Sequence, residues 1–356
     1  MKLIRKIEGF TRDIYLSNGV LFYLDKKEVF NALDLSENRI KWSQGEMGND
    51  SCELADSFMF GNYNIYIENE KTIVKLEGTL INKTDGKIVR VNNLIPKFSF
   101  QKDKVFCSFR NEERKKKYCL YNAQNDSIVW VNEHYVSIGA FIKDDYFYTL
   151  EDMRLEMIEA MTGKLMLSIS TEAEVRSDNN PQTIIDVIDG YLIMIYDYYT
   201  ICAIDLSNGK LKWKWNVNDE AKNSVSIEFS KDDSFLKVKE GSYYYAAGRR
   251  LLKFDIVNRK IEVIVDTEVE IRGRMKKMMF HSLFKFDELI CFYGMEYNDG
   301  PYSTIGIFDI AKEKVVDFAD DEFSNPLRFK PQMYENRLFQ QDYNGNIHVF
   351  EMELEE

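Results

Sequence analysis

Apolar residues in this chain come in short runs broken by turn-forming residues, and the spacing within the runs is that of strands. Lys210-Leu211-Lys212-Trp213-Lys214-Trp215 alternates strictly, one face cationic and the other apolar, the period-two signature of a half-buried strand. Other runs, such as residues 21–24, 146–148 and 191–195, lie between two turn signals. No 12-residue window keeps a helical period, so helix content is expected to be minor.

One short block recurs along the chain: an apolar residue, a polar anchor, and an aliphatic residue six positions after the anchor. The anchors are Asp34, Asn82, Asn122, Glu159, Asp205, Asp255 and Asp309, and the aliphatic residues are Ile40, Ile88, Ile128, Leu165, Leu211, Ile261 and Val315. A cation precedes the aliphatic in every copy except the third, which has Ser127. Trp42, Trp130 and Trp213 stand eight residues after their anchors. A short Asp or Asn side chain can accept backbone N–H groups two residues on and close a tight turn. Glycine at Gly86, Gly163 and Gly209 supplies positive φ there. The block therefore reads as strand, turn, strand.

A second turn signal precedes each block: Asn18-Gly19, Gly61-Asn62, Lys102-Asp103, Asp144-Asp145, Asp189-Gly190, Asp232-Asp233, Asp287-Glu288 and, after the last block, Glu335-Asn336. Each unit is then four short antiparallel strands joined by hairpins. The last unit stops one strand short, and residues 3–7 can supply it. The expectation is an all-β, eight-bladed β-propeller of four-stranded antiparallel blades over residues 1–356 as a single domain, closed by the N-terminal strand joining the last blade. Seven blades with one irregular unit is the alternative geometry.

Ala203-Ile204-Asp205-Leu206-Ser207-Asn208-Gly209-Lys210-Leu211-Lys212-Trp213 resembles the PQQ-like repeat of the quinoprotein alcohol dehydrogenase-like propellers. Ala32-Leu33-Asp34 with Trp42 is similar, with Asn38 in place of the glycine, and Tyr121-Asn122 with Trp130 keeps the tryptophan. The resemblance implies a tryptophan docked between neighbouring blades. Enzymes of that family hold a quinone against a vicinal disulfide, together with calcium. Here no two of Cys52, Cys107, Cys119, Cys202 and Cys291 are adjacent, so the resemblance implies the architecture of a non-catalytic member, without the cofactor.

Composition narrows the function classes. With 47 basic against 59 acidic residues the net charge is −12, which argues against broad attraction to nucleic acid or anionic membrane and suits a basic partner. Five cysteines, with no CxxC spacing, are expected to be free thiols in a reducing compartment. The start lacks the apolar stretch of a secretory signal and no 18-residue apolar run occurs, so a cytoplasmic location is expected.

Candidate chemistry is thin. His134, His281 and His348 form no zinc-binding spacing, and His348 is expected to be structural. Asp342-Tyr343-Asn344-Gly345-Asn346 begins like a calcium loop but runs into a strand, so a hairpin turn explains it. The basic run 110–117 reads as a solvated hairpin tip, and Arg272 to Met279 as a cation- and Met-bearing connection into the seventh unit. Acidic stretches at Glu172, Glu174 and Asp178, and at Asp317 and 320–322, are placed in connections between units. No nucleophile–base motif or phosphate loop is found. No catalytic, cofactor-binding or metal residue is assigned. The expected function is protein binding, as a scaffold or a toxin-neutralising protein, through one rim. The competing expectation is an enzyme or small-ligand binder using the central funnel.

Overall fold

The structure is a computed structural model. It describes residues 1–9, 14–27, 29–44, 50–54, 58–62, 64–68, 71–75, 77–82, 84–85, 87–92, 94–100, 103–110, 116–132, 141–151, 154–170, 183–220, 227–229, 235–266, 268–271, 274–296, 304–319, 330–342 and 344–353. Strands dominate these residues, and one four-residue helix, Val217–Glu220, is present among them.

The strands assemble in chain order into antiparallel sheets. Six four-stranded sheets span 15–44, 50–92, 95–132, 141–170, 183–216 and 236–266. A five-stranded sheet spans 268–319. A further four-stranded sheet joins Gln332–Tyr334, Arg337–Gln341 and Ile347–Glu351 to the N-terminal strand Lys2–Ile7. In that closing sheet Lys2 lies opposite Glu351 and Ile7 opposite Ile347. The count has the form of the alternative geometry: seven four-stranded blades and one irregular unit, rather than eight alike.

The first strands of neighbouring sheets touch where 141–143 meets 183–188 and where 15–17 meets 332–334, across the point where the chain ends meet, and 236–239 meets 274–286, the long second strand of the five-stranded sheet. First strands thus gather about a common axis, and last strands face outward. Apolar side chains fill the space between consecutive sheets. Ile193, Ile195 and Trp215 pack against Tyr243, Leu252 and Phe254. Tyr244 and Leu251 pack against Phe280, Ile290 and Phe308, and Cys291, Ile305 and Ile307 against Leu338 and Phe350. Ile7, Phe339 and Val349 pack against Leu21, Tyr23 and Leu33, which seals the ring. Each such side chain, fully buried, contributes about 1.5–3 kcal/mol.

The recurrent block folds as its residues dictate. Asp34 Oδ1 accepts the N–H groups of Ser36 (2.9 Å) and Glu37 (3.1 Å). Asp205 accepts that of Ser207 at 2.8 Å, Asn122 that of Gln124 at 3.0 Å, and Asp255 that of Asn258 at 2.9 Å. Four residues after the anchor the chain turns left-handed in every described copy, at Asn38, Asp126, Gly163, Gly209, Arg259 and Glu313. A one-residue bulge then shifts the ladder into the outer strand, for example between Ala32 and Leu33 and between Ala203 and Ile204, so the strand after the turn presents its apolar residues to the next sheet.

Four expectations need correction. Gly61-Asn62 is not a turn: it ends the strand Phe58–Asn62. An added hairpin, Asn64–Glu68 with Lys71–Lys75, follows it, and a template of four strands per unit has no place for that hairpin. The first hairpin of the 236–266 sheet turns at Glu240-Gly241, where Gly241 has φ 72°; Asp232-Asp233 lies outside the described residues. Arg272 to Met279 is not a plain connection. From Arg274 onward it belongs to a 13-residue strand, Arg274–Phe286, whose start pairs with Glu268–Ile271 to make the fifth strand. Its mix of cations and methionines carries little strand signal. Finally, Asp317 lies not in a connection but in the strand Lys314–Ala319, 1% exposed, where it takes the Met1 ammonium.

Candidate functional site

Sequential hairpins put the two ends of every sheet to different use. The first-to-second and third-to-fourth strand turns share one face of the ring, and those among the described residues are tight. Asn18-Gly19, Asp144-Asp145 and Asp189-Gly190 are two-residue turns with both φ values positive, the geometry that matches strand twist. The opposite face receives the second-to-third turns and the connections between sheets. There lie the added hairpin 64–75, the flanks of the basic run (Arg110 paired with Lys116), the helix Val217–Glu220 and the extra hairpin 268–277. Residues 111–115, 172–178 and 320–322 lie outside the described residues.

On this long-loop face Tyr198 and Tyr199 are 39% and 41% exposed, with ring centroids 6.3 Å apart. Their turn is held rigidly. Tyr199 O accepts the N–H of Val217 at 2.9 Å, Tyr198 O accepts that of Phe229 at 2.7 Å, and Asp197 Oδ1 accepts that of Tyr199 at 2.8 Å. Asn218 closes the base of the 217–229 connection by bonding both the N–H (2.8 Å) and the carbonyl (3.1 Å) of Ile227. Asp219 and Glu228 are exposed on that connection. Exposed aromatics on an ordered turn bind at little entropic cost, and the nearby carboxylates favour a cationic partner.

On the axis a charge network crosses three consecutive first strands. Asp186, 1% exposed, is aimed inward by a bulge between Ile184 and Asp186. Its Oδ1 accepts the N–H of Val187 (2.7 Å) and lies 3.2 Å from Lys143 Nζ of the preceding sheet. Its Oδ2 accepts from Lys237 Nζ (2.5 Å) and from the Tyr243 hydroxyl of the following sheet. Glu240 completes the network at 2.9 Å from Lys143 and 3.0 Å from Lys237. Burial alone would raise the Asp186 carboxyl; the bonds from Lys237, Tyr243, Val187 and Lys143 outweigh it and hold the group below its usual range. Burial opposes the charge on Lys143, yet Glu240 and Asp186 hold its ammonium above its usual value. Two cations facing two carboxylates tie three sheets together. Asp186 and Glu240 are held below their usual values and Lys143 above its own, all away from neutrality, so they are poorly tuned for proton transfer near neutral pH, which needs a group poised there.

The other candidate residues lie in strands and hairpin turns where described. His348, 1% exposed, places Nε2 3.0 Å from Asp342 Oδ2 and stacks on Phe350. Asp342 Oδ1 accepts the N–H groups of Asn344 and Asn346, each at 2.9 Å, so this carboxylate is committed to its hairpin turn. His281 stands in the strand Arg274–Phe286, and His134 lies outside the described residues. Cys107, Cys119, Cys202 and Cys291 are free and buried. A groove of about 430 Å³ lies on the tight-turn face of the 236–266 sheet, lined by both Lys253 and Lys260 and by Glu240 and Asp255.

Sequence reasoning missed Asp186 and the tyrosine pair. Their signals were present: a lone Asp inside the apolar run Thr183-Ile184-Ile185-Asp186-Val187-Ile188, and two adjacent tyrosines at a turn.

No protein-family profile and no curated protein matches the chain. Solved structures match over nearly its whole length. The computationally designed Ika8 protein covers 99% of this chain and 100% of its own at 11% identity, with a TM-score of 0.60. The C-terminal WD40 domain of Sif2 covers 99% and 98% at 12% identity and 0.60. BamB from Moraxella catarrhalis covers 98% and 99% at 10% identity and 0.54. At such identities the likeness speaks to fold alone, and with the sheet order and ring closure described above it makes the chain an all-β propeller.

Proposed function

We propose that this propeller is a non-catalytic protein-binding module that engages a basic partner through its long-loop face, as a scaffold or a toxin-neutralising protein. The observation that carries the reading is the asymmetry of the two faces. Among the described residues one carries tight turns; the other bears the added hairpins and the exposed Tyr198–Tyr199 pair beside Asp197, Asp219 and Glu228. A cytoplasmic location and membership of the PQQ-like superfamily belong to the same proposal. The five-stranded sheet is the irregular unit of the ring, with apolar packing on both sides. Propeller relatives such as WD40 domains and BamB support a protein-interaction role.

The test is retention of host proteins on the tagged chain at about 50 and 200 mM salt, a range over which exposed charge contacts weaken. The wild type is expected to retain one basic protein at the lower salt and release it at the higher, and the Tyr198→Ala/Tyr199→Ala variant to lose it at both. Equal retention by the variant would refute the assignment of the face. The second reading, a ligand site in the funnel, is favoured by the charges of Lys143, Asp186 and Lys237 on the axis. It predicts instead that a small anion or cation raises the melting temperature of the wild type and not of Asp186→Asn.

A further inference from the structure

Aromatic rings of the 183–216 sheet already serve as seats for cations. Lys214 Nζ lies 3.6 Å from the centroid of the Tyr196 ring, and Lys212 Nζ 5.7 Å from that of Tyr191. On the outer strand, Trp213 carries Arg259 of the next sheet, its Cζ at 5.9 Å. The negative face of such a ring attracts a cation within about 6 Å. Tyr198 and Tyr199 continue the series with no cation of their own. Among the described residues each ring's aromatic neighbour is the other, and no lysine or arginine stands over either. Their planes meet at 55°, so the exposed pair is an open wedge rather than a stack. Carboxylates surround it. Asp197 holds the turn itself, Asp219 follows Val217, whose N–H bonds Tyr199 O, and Glu228 precedes Phe229, whose N–H bonds Tyr198 O. Asp219 and Glu228 are exposed and enter no ion pair among the described residues.

We propose that the Tyr198–Tyr199 wedge is an arginine seat, so that the partner presents arginine there rather than lysine; this rests on the basic-partner reading. A guanidinium is planar and weakly hydrated. It can lie flat on one ring while its edge N–H groups donate in pairs to a carboxylate beside it. A lysine ammonium is a compact, strongly hydrated point charge and must shed water to reach a ring face. The carboxylates attract either cation, and the rings supply the choice between them. Because the turn is already held at both carbonyls, little ordering remains to oppose binding.

Hexa-arginine and hexalysine carry equal charge, so titration calorimetry of each into the full chain at about 50 mM salt, where exposed charge contacts persist, isolates the choice. The wild type should bind hexa-arginine about three- to tenfold tighter than hexalysine. Tyr198→Ala/Tyr199→Ala should bind the two alike, whereas Tyr198→Phe/Tyr199→Phe should keep the preference because the ring faces remain. Asp219→Asn/Glu228→Gln should weaken both peptides and leave the preference. Equal affinity of the wild type for the two peptides overturns the proposal, as does absence of hexa-arginine binding or a preference that survives in the double alanine variant. Tighter binding of permethylated hexalysine also overturns it and assigns the wedge to methylated ammonium. Lys222, on the connection between Asp219 and Glu228, lies outside the described residues. If Lys222→Ala gains a preference that the wild type lacks, the wedge is filled from within and the proposal falls. The parent reading is tested separately: a retained basic protein without an arginine preference removes the seat alone, and no retained basic protein removes the parent reading whatever the peptides do.

Discussion

Trp130 donates its indole N–H to the carbonyl of Ala160 in the following sheet, at 3.0 Å, and lays its ring over Gly163 of the same turn. A Cβ built on Gly163 would sit 2.5 Å from Trp130 Cδ2. The relationship recurs with other side chains. Ile169 occupies the space over Gly209, where a Cβ would lie 2.3 Å from its Cγ2, and Arg259 stands over the Trp213 ring at 5.9 Å. The left-handed residue of one unit is thus the docking floor for the outer strand of the unit before it.

Removing either partner loosens the same seam. Trp130→Ala should cost about 2–4 kcal/mol, less than a fully buried tryptophan because the ring is only half-buried. Gly163→Ala should also destabilise, since its φ of 69° disfavours a side chain and the new methyl meets the indole. Urea unfolding checks both. The double variant should cost less than the sum of the two, because one contact is lost in each.

The axial network predicts an acid limit. Asp186 is held below its usual pKa in the folded chain. Its contribution to stability is complete above the unfolded carboxyl value near 4 and disappears as pH falls through the folded value. Asp186→Asn should cost about 2–3 kcal/mol at pH 7, because it leaves Lys143 and Lys237 without their shared carboxylate. The cost should shrink as pH falls below about 4, where the unfolded chain takes up the proton first and the folded wild type follows at lower pH. Thermal melts of both proteins between acid and neutral pH measure the difference; a constant gap would contradict it.

The thiols should be silent in the native state. Burial pushes Cys202 up to about 12 and Cys291 well above its ordinary value, and Cys107 and Cys119 are 0% exposed opposite one another on adjacent strands. The thiolate is the reactive form. A chromogenic thiol reagent should therefore leave these four unreacted at pH 8 and release their signal only on unfolding.

One turn can be improved. Glu335 adopts φ 53° in the hairpin with Asn336, a conformation that suits asparagine better than glutamate. Glu335→Asn should stabilise the protein by about 0.5–1 kcal/mol. Equal denaturation midpoints would show that the turn carries no such strain.

Turn chemistry made most of the architecture legible from the sequence. Anchors such as Asp34 and Asp205 announce their hairpins because a short carboxylate can bond N–H groups only two or three residues away, a wholly local event. Closure by residues 2–7 was legible because the last unit lacks a strand. The hairpin 64–75 and the strand extension at 274–277 were not, since they add strands without breaking the rhythm of the anchors on either side. The axial network was hidden for another reason. Lys143, Asp186 and Lys237 lie far apart in sequence, and an Asp in an acidic chain stands out only once a bulge turns it inward.

The closing sheet also sets the order of events during synthesis. Residues 2–7 are made long before their partner strand, Ile347–Glu351. Throughout elongation the first strand stays without its mate while the intervening sheets stack one on another. Joining chain ends this distant is a slow step. The nascent protein therefore stays an open stack with an unpaired edge at each end, and ring closure must wait until Ile347–Glu351 has been made.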